Sequence, residues 1–145
     1  MIALLLAAVL IGLLLPIQAG ANAQLRGSVG DPIATALVSF LVGTVALAAL
    51  VVVLRIPVPI GVAWQRAPWH YWIGGLLGAI YIAGAVVLAP RLGAATLIAA
   101  VVAGQMVASV ILDHYGWVGF APHPITFPRL LGILLVIAGV VLVRK

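Results

Sequence analysis

The stretch AATLIAAVVAGQMVASVIL, residues 94–112, carries no charged side chain and ends at Asp113-His114. A helix of about 20 predominantly apolar residues crosses the hydrocarbon core of a bilayer. A helix that is apolar on every side, not along one stripe, belongs inside a membrane or a very large core. Four more blocks read the same way, at about 2–24, 33–54, 69–89 and 128–143. Asp31-Pro32, Arg55, Pro90-Arg91 and Arg144-Lys145 bound them. The expected fold is therefore all-α: one integral membrane domain over residues 1–145, with five transmembrane helices.

Composition agrees. Of the 145 residues 66% are apolar and 6% charged, and the mean hydropathy is +1.39. Soluble domains run near 45–50% apolar and roughly 25% charged. Five spans take about 100 residues, which leaves no length for a soluble domain. The absence of Cys excludes disulfides, zinc–thiolate sites and iron–sulfur clusters. The net charge of +5 comes from basic residues set singly between apolar blocks. Such residues are anchors facing anionic lipid, and no nucleic-acid partner is expected. Trp64, Trp69, Tyr71 and Trp72 form an interfacial belt before the third span, and Tyr115 and Trp117 form another after the fourth.

Pro32 and Pro128 stand where helices can start, because a first-turn Pro loses no intrahelical bond. Gly27 to Gly30 reads as a tight turn and Arg55 to Pro68, with three prolines, as an extended connector. Pro90 to Gly93 leaves almost no loop. Ala21-Asn22-Ala23 resembles a small-residue cleavage site, but no Lys or Arg precedes the apolar run, so no cleavage after Ala23 is expected.

With five spans, one side of the membrane receives Arg55, Arg66 and Arg129. The other receives Arg26, Arg91, Arg144 and Lys145. The Lys/Arg bias that sets orientation is nearly absent. Either local context decides the orientation, or copies insert both ways up. In the second case two inverted copies can pack as the halves of an inverted-repeat transporter.

Small residues four apart let helices approach closely in lipid. Ala100, Gly104 and Ala108 form such a row and are candidates for helix packing or a dimer interface. Polar residues inside spans need partners. Gln18 and Asn22 share a face of the first span just past Pro16, Thr35 and Ser39 share one of the second, and Tyr81 is mid-span in the third. Gln105 and Ser109 share a face of the fourth, which Asp113 extends to the membrane edge. Each has two readings, a helix–helix hydrogen bond or the lining of a cavity. Asp113 reads first as a helix-end or loop anchor, because an edge carboxylate reaches water or Arg cheaply. No Glu is present, and no charged residue or His lies mid-span. No phosphate loop, paired carboxylates or metal-spaced His cluster exists, so no metal, no cofactor and no enzyme activity are expected.

Four stretches carry a resemblance: Gln18 through Asn22 to Arg26, Gly74-Gly75 through Gly78 to Tyr81, Leu92-Gly93-Ala94-Ala95, and Gly104-Gln105 through Ser109 to Asp113-His114-Tyr115-Gly116-Trp117. They resemble the YdcZ-like family of small bacterial inner-membrane proteins, within the drug/metabolite transporter superfamily. Tyr115 stands where Phe is common. The resemblance implies a five-helix half-transporter in the bacterial inner membrane, assembled antiparallel with a second copy of itself. It carries over no substrate. The superfamily's small multidrug exporters use a membrane-embedded Glu, which this chain lacks, so their proton-antiport mechanism does not transfer. The expected function is a secondary transporter exporting a small metabolite or drug-like compound, with Gln18, Asn22, Tyr81, Gln105 and Ser109 lining its cavity. A dual-topology channel and a structural or accessory subunit are the alternatives.

Overall fold

A computed structural model describes residues 1–144. Lys145, counted above among the cations of one side, lies outside the described residues. Six α-helices occur, with no strand among the described residues: α1 (Ile2–Val29), α2 (Pro32–Val53), α3 (Ile60–Arg66), α4 (Ile73–Leu92), α5 (Ala94–Tyr115) and α6 (Phe127–Val143). Two short 3₁₀ turns, Trp69–Trp72 and Trp117–Gly119, complete the chain. Four helical stretches are long and apolar enough to cross a membrane: Ile2–Val29, Pro32–Val53, Trp69–Leu92 and Ala94–Tyr115. The fifth apolar helix, α6, has only 17 residues.

Against an expectation of five transmembrane helices, the described residues hold six α-helices and four stretches of spanning length; the additional helix arises because the 55–68 connector is not extended throughout. Its prolines bracket a helix instead of preventing one. Pro59 is the N-cap of α3, and Ala67 leaves the helix with ψ 124°. A residue before proline is driven out of the helical region, and Pro68 follows Ala67. At 7 residues α3 is about 10 Å long and cannot span a bilayer.

Two other boundaries also shift. α1 runs past Gly27 to Val29, and the chain turns at Gly30, φ +92°. α4 continues through Pro90 to Leu92, so that the proline, which has no N–H to donate, lies inside its last turn. Gly93 ends it with φ 76° and ψ 159°, a conformation almost restricted to glycine. Asp31 caps α2, where its Oδ1 accepts from the N–H groups of Ile33 and Ala34 at 2.8 and 2.9 Å, with Pro32 at the helix start. α2 closes with N–H of Arg55 on Val52 O and N–H of Ile56 on Val51 O. This is the paired Schellman closure, with Arg55 where glycine is usual, at φ 52°.

The chain divides into two compact units, Gln18–Val87 and the remainder. In Gln18–Val87, Ala36 of α2 packs with Ile82 and Val86 of α4, and Tyr81 and Ala83 flank them. In the second unit α5 and α6 form a hairpin, with Leu97, Val110 and Ile133 buried. Most large apolar side chains are exposed, among them Leu4, Val42, Leu77 and Leu134. Such a surface is unstable in water and neutral in lipid, whose tails are as apolar as Leu.

Candidate functional site

The Gln18–Val87 unit holds a cavity of about 370 Å³, within the size range of small-molecule sites. Three helices build it. α1 contributes Gln18; α2 contributes Ser39, Phe40, Gly43, Thr44 and Leu47; α4 contributes Gly78, Tyr81 and Ile82. The α2 positions recur every three or four residues, so one helical face supplies them all. Gly78 faces Phe40 across the cavity wall, where a Cβ would stand 3.4 Å from that ring, in van der Waals contact.

The polar lining is uncharged. The Thr44 hydroxyl donates to Phe40 O at 2.8 Å, within its own helix. The side chains of Gln18, Ser39 and Tyr81 make no hydrogen bond among the described residues. An amide and two hydroxyls thus face an otherwise apolar cavity (Phe40, Leu47, Ile82) with their bonding capacity free. That set can hold a neutral or zwitterionic polar solute by hydrogen bonds.

Of the candidate lining residues, the structure brings Gln18 and Tyr81 together here. Asn22 is buried at 6% exposure and is not in the lining, and its Nδ2 has no partner among the described residues. Gln105 and Ser109 lie in the other unit, exposed on α5 beside the equally exposed row Ala100, Gly104 and Ala108. Ser39 was singled out with Thr35 as one polar face, and that face divides. Ser39 lines the cavity, while Thr35 is fully buried with its hydroxyl on Asp31 O at 2.7 Å. Phe40 and Leu47 escape a reading based on polarity alone, and Thr44 lies one position off the Thr35–Ser39 face. Their spacing from Ser39 was the available signal.

The second polar cluster closes the α5–α6 hairpin. Asp113 in the last turn of α5 accepts from Arg129 Nη2 of α6 at 2.5 Å. Arg129 Nη1 also donates to His123 O at 3.1 Å. The His123 N–H bonds Asp113 O at 2.7 Å, and the Ile125 N–H bonds His114 Nδ1 at 3.3 Å. Gly116 caps α5 at φ 64°, where a Cβ would lie 2.8 Å from Pro122 Cγ. Tyr115 and Trp117 stack, with ring centroids 4.9 Å apart. The Asp113-to-Trp117 motif is therefore a clamp that ties the long loop to both helices, and Asp113 is an anchor. No group of three or more His, Cys, Asp or Glu side chains is placed to hold a metal among the described residues.

Long apolar helices define a multi-pass membrane protein. The family model described as "Putative inner membrane exporter, YdcZ" matches residues 3–142. The chain belongs to this family, a set of multi-pass inner-membrane proteins. No curated protein and no solved structure matches it.

Proposed function

We propose that the protein is a secondary transporter that exports a small polar, uncharged or zwitterionic compound, working as an antiparallel homodimer. The observation that carries this reading is the cavity whose Gln18, Ser39 and Tyr81 side chains have no partner within the protein. A polar group in lipid without a partner is costly, so a passing solute accounts for three of them around one cavity. Asn22, one turn beyond Gln18, adds a buried amide donor that a solute or the second copy would satisfy. The family's export description supports the direction of transport.

The dimer rests on three supports. The cations are split three against four between the two sides, which gives little reason to insert one way. The row Ala100, Gly104 and Ala108 is exposed on α5 together with Gln105 and Ser109, a surface suited to close helix approach with amide and hydroxyl bonding. Counted with the four longer stretches, α6 is a fifth span about 25 Å long, short enough to thin the bilayer locally. An odd span count lets an inverted copy complete the pathway.

The test is efflux from proteoliposomes loaded with a mixture of metabolites, read by mass spectrometry. Wild-type vesicles should release a compound that vesicles of the Gln18→Leu/Tyr81→Phe double variant retain. Equal release by both, with the variant folded, would remove the cavity from the pathway. Tagged termini found on one side of the membrane only would remove the antiparallel dimer.

A further inference from the structure

The cavity of the Gln18–Val87 unit discriminates by charge. Among the described residues its lining carries no charged side chain. Helix dipoles do not replace one. Gln18 lies well inside α1 (Ile2–Val29), Ser39 to Leu47 inside α2 (Pro32–Val53) and Gly78 to Ile82 inside α4 (Ile73–Leu92), each more than one turn from the ends of its helix. The partial charge of a helix end fades within its first or last turn. A carboxylate or ammonium entering from water would exchange its hydration for two hydroxyls and one amide, with no opposite charge beside it. An uncharged solute meets no such cost.

The open groups also limit what the solute carries. Gln18 offers a donor and an acceptor side by side, and a carboxamide or lactam edge pairs with both at once. The Ser39 and Tyr81 hydroxyls each add a further bond. The Thr44 hydroxyl proton is already engaged on Phe40 O. A sugar, with a hydroxyl on nearly every carbon, would bring more polar groups than these can match. The rest of the lining is apolar, and one member of it is aromatic. A Cβ on Gly78 would touch the Phe40 ring at Cζ (3.4 Å) and Cε1 (3.9 Å) and at no other ring atom within 4 Å. That is contact with the tip of the ring, so Gly78 leaves the faces uncovered. A Cβ on Gly43, one turn along α2 from Phe40, would meet nothing within 4 Å. Space therefore lies beside the ring, where a second planar ring can stack.

We propose, resting on the reading of this cavity as the transport site, that its substrate is an uncharged aromatic carboxamide or lactam. The amide pairs with Gln18, Ser39 and Tyr81 take its remaining bonds, and the ring lies against Phe40.

The experiment is equilibrium dialysis against the full chain in lipid nanodiscs, with empty nanodiscs subtracting partition into lipid. The probes share one size: benzamide, benzoate, benzylammonium and cyclohexanecarboxamide. Benzamide should bind at least about tenfold more tightly than benzoate or benzylammonium. It should exceed cyclohexanecarboxamide by about threefold, and Phe40→Leu should abolish that margin. Gln18→Leu should weaken benzamide by about tenfold. Tyr81→Phe, which keeps the ring and loses the hydroxyl, should weaken it less and serves as the second variant if Gln18→Leu does not fold. Benzoate or benzylammonium bound as tightly as benzamide, and still lost in Gln18→Leu, would overturn the substrate class and leave the cavity as the site. Cyclohexanecarboxamide bound as tightly as benzamide would overturn the aromatic requirement. Benzamide binding that is indifferent to both variants, with each folded, would overturn the cavity as the site, and with it the substrate class. Absence of benzamide binding to the wild type would overturn the substrate class alone.

Discussion

The α5–α6 hairpin and the Gln18–Val87 unit treat their polar residues in opposite ways. In the hairpin Asp113, His114, His123 and Arg129 bond one another or the loop backbone. In the other unit Gln18, Ser39 and Tyr81 face a cavity with no bond to the protein, and Asn22 holds an orphaned amide nitrogen. A satisfied polar group stabilises the fold. An unsatisfied buried one opposes it. The difference separates polar residues bonded within the fold from polar residues left open beside a cavity, even though both sets are polar interruptions in apolar sequence.

The hairpin should break most readily at Gly116. Alanine there takes on left-handed strain of about 1–2 kcal/mol, and its Cβ would lie 2.8 Å from Pro122 Cγ. Together with overpacking, Gly116→Ala should cost about 3 kcal/mol. Thermal unfolding of the purified variant checks it, and an unchanged midpoint would mean that the cap is not needed. Arg129→Ala comes next. It removes charge-assisted bonds to Asp113 and His123 and should lower stability by about 2 kcal/mol. The pair is partly exposed, with side chains 34% and 23% accessible, so high salt should narrow the gap between wild type and variant.

A change of the opposite sign is expected at Arg55. Glycine relieves a non-glycine residue at φ 52°, so Arg55→Gly should raise stability by about 1 kcal/mol. Because it also removes an edge cation, Arg55→Asn is a companion that loses the same charge and should gain less. The smallest stability effect belongs to the cavity. Gln18→Leu should move the unfolding midpoint by less than about 0.5 kcal/mol, yet it should abolish efflux of the compound that wild-type vesicles release. A Gln18→Leu protein that is destabilised as much as Arg129→Ala, with normal flux per folded copy, would erase the contrast between the two regions.

Much of the first step was legible from residues alone. Long uncharged blocks predicted membrane helices, since no water is available to a charge in hydrocarbon. Asp31-Pro32 marked the start of α2, and the structure has that start. The connector is less extended than its three prolines suggest. Pro59 and Pro68 instead act at the two ends of α3, leaving Ile60–Arg66 free to coil. Pro90 likewise does not end α4, which runs two residues past it to Leu92.

The site was legible by residue type and only partly by position. Sequence periodicity tells which residues share a face of one helix, and so grouped Gln18 with Asn22 and Thr35 with Ser39. It carries no information on which faces meet. Packing of α2 against α4 through Ala36, Ile82 and Val86 decides that Ser39 and Tyr81 look into one cavity and that Thr35 is buried. Likewise Asp113 and Arg129, 16 positions apart, become partners only because the loop between them folds back. By itself the sequence determined membrane residence, the apolar segments and the scarcity of charge, because those follow from transfer free energies that add residue by residue. Tertiary structure alone decided which polar groups are satisfied and which are left open, because that depends on geometry between helices far apart in the chain.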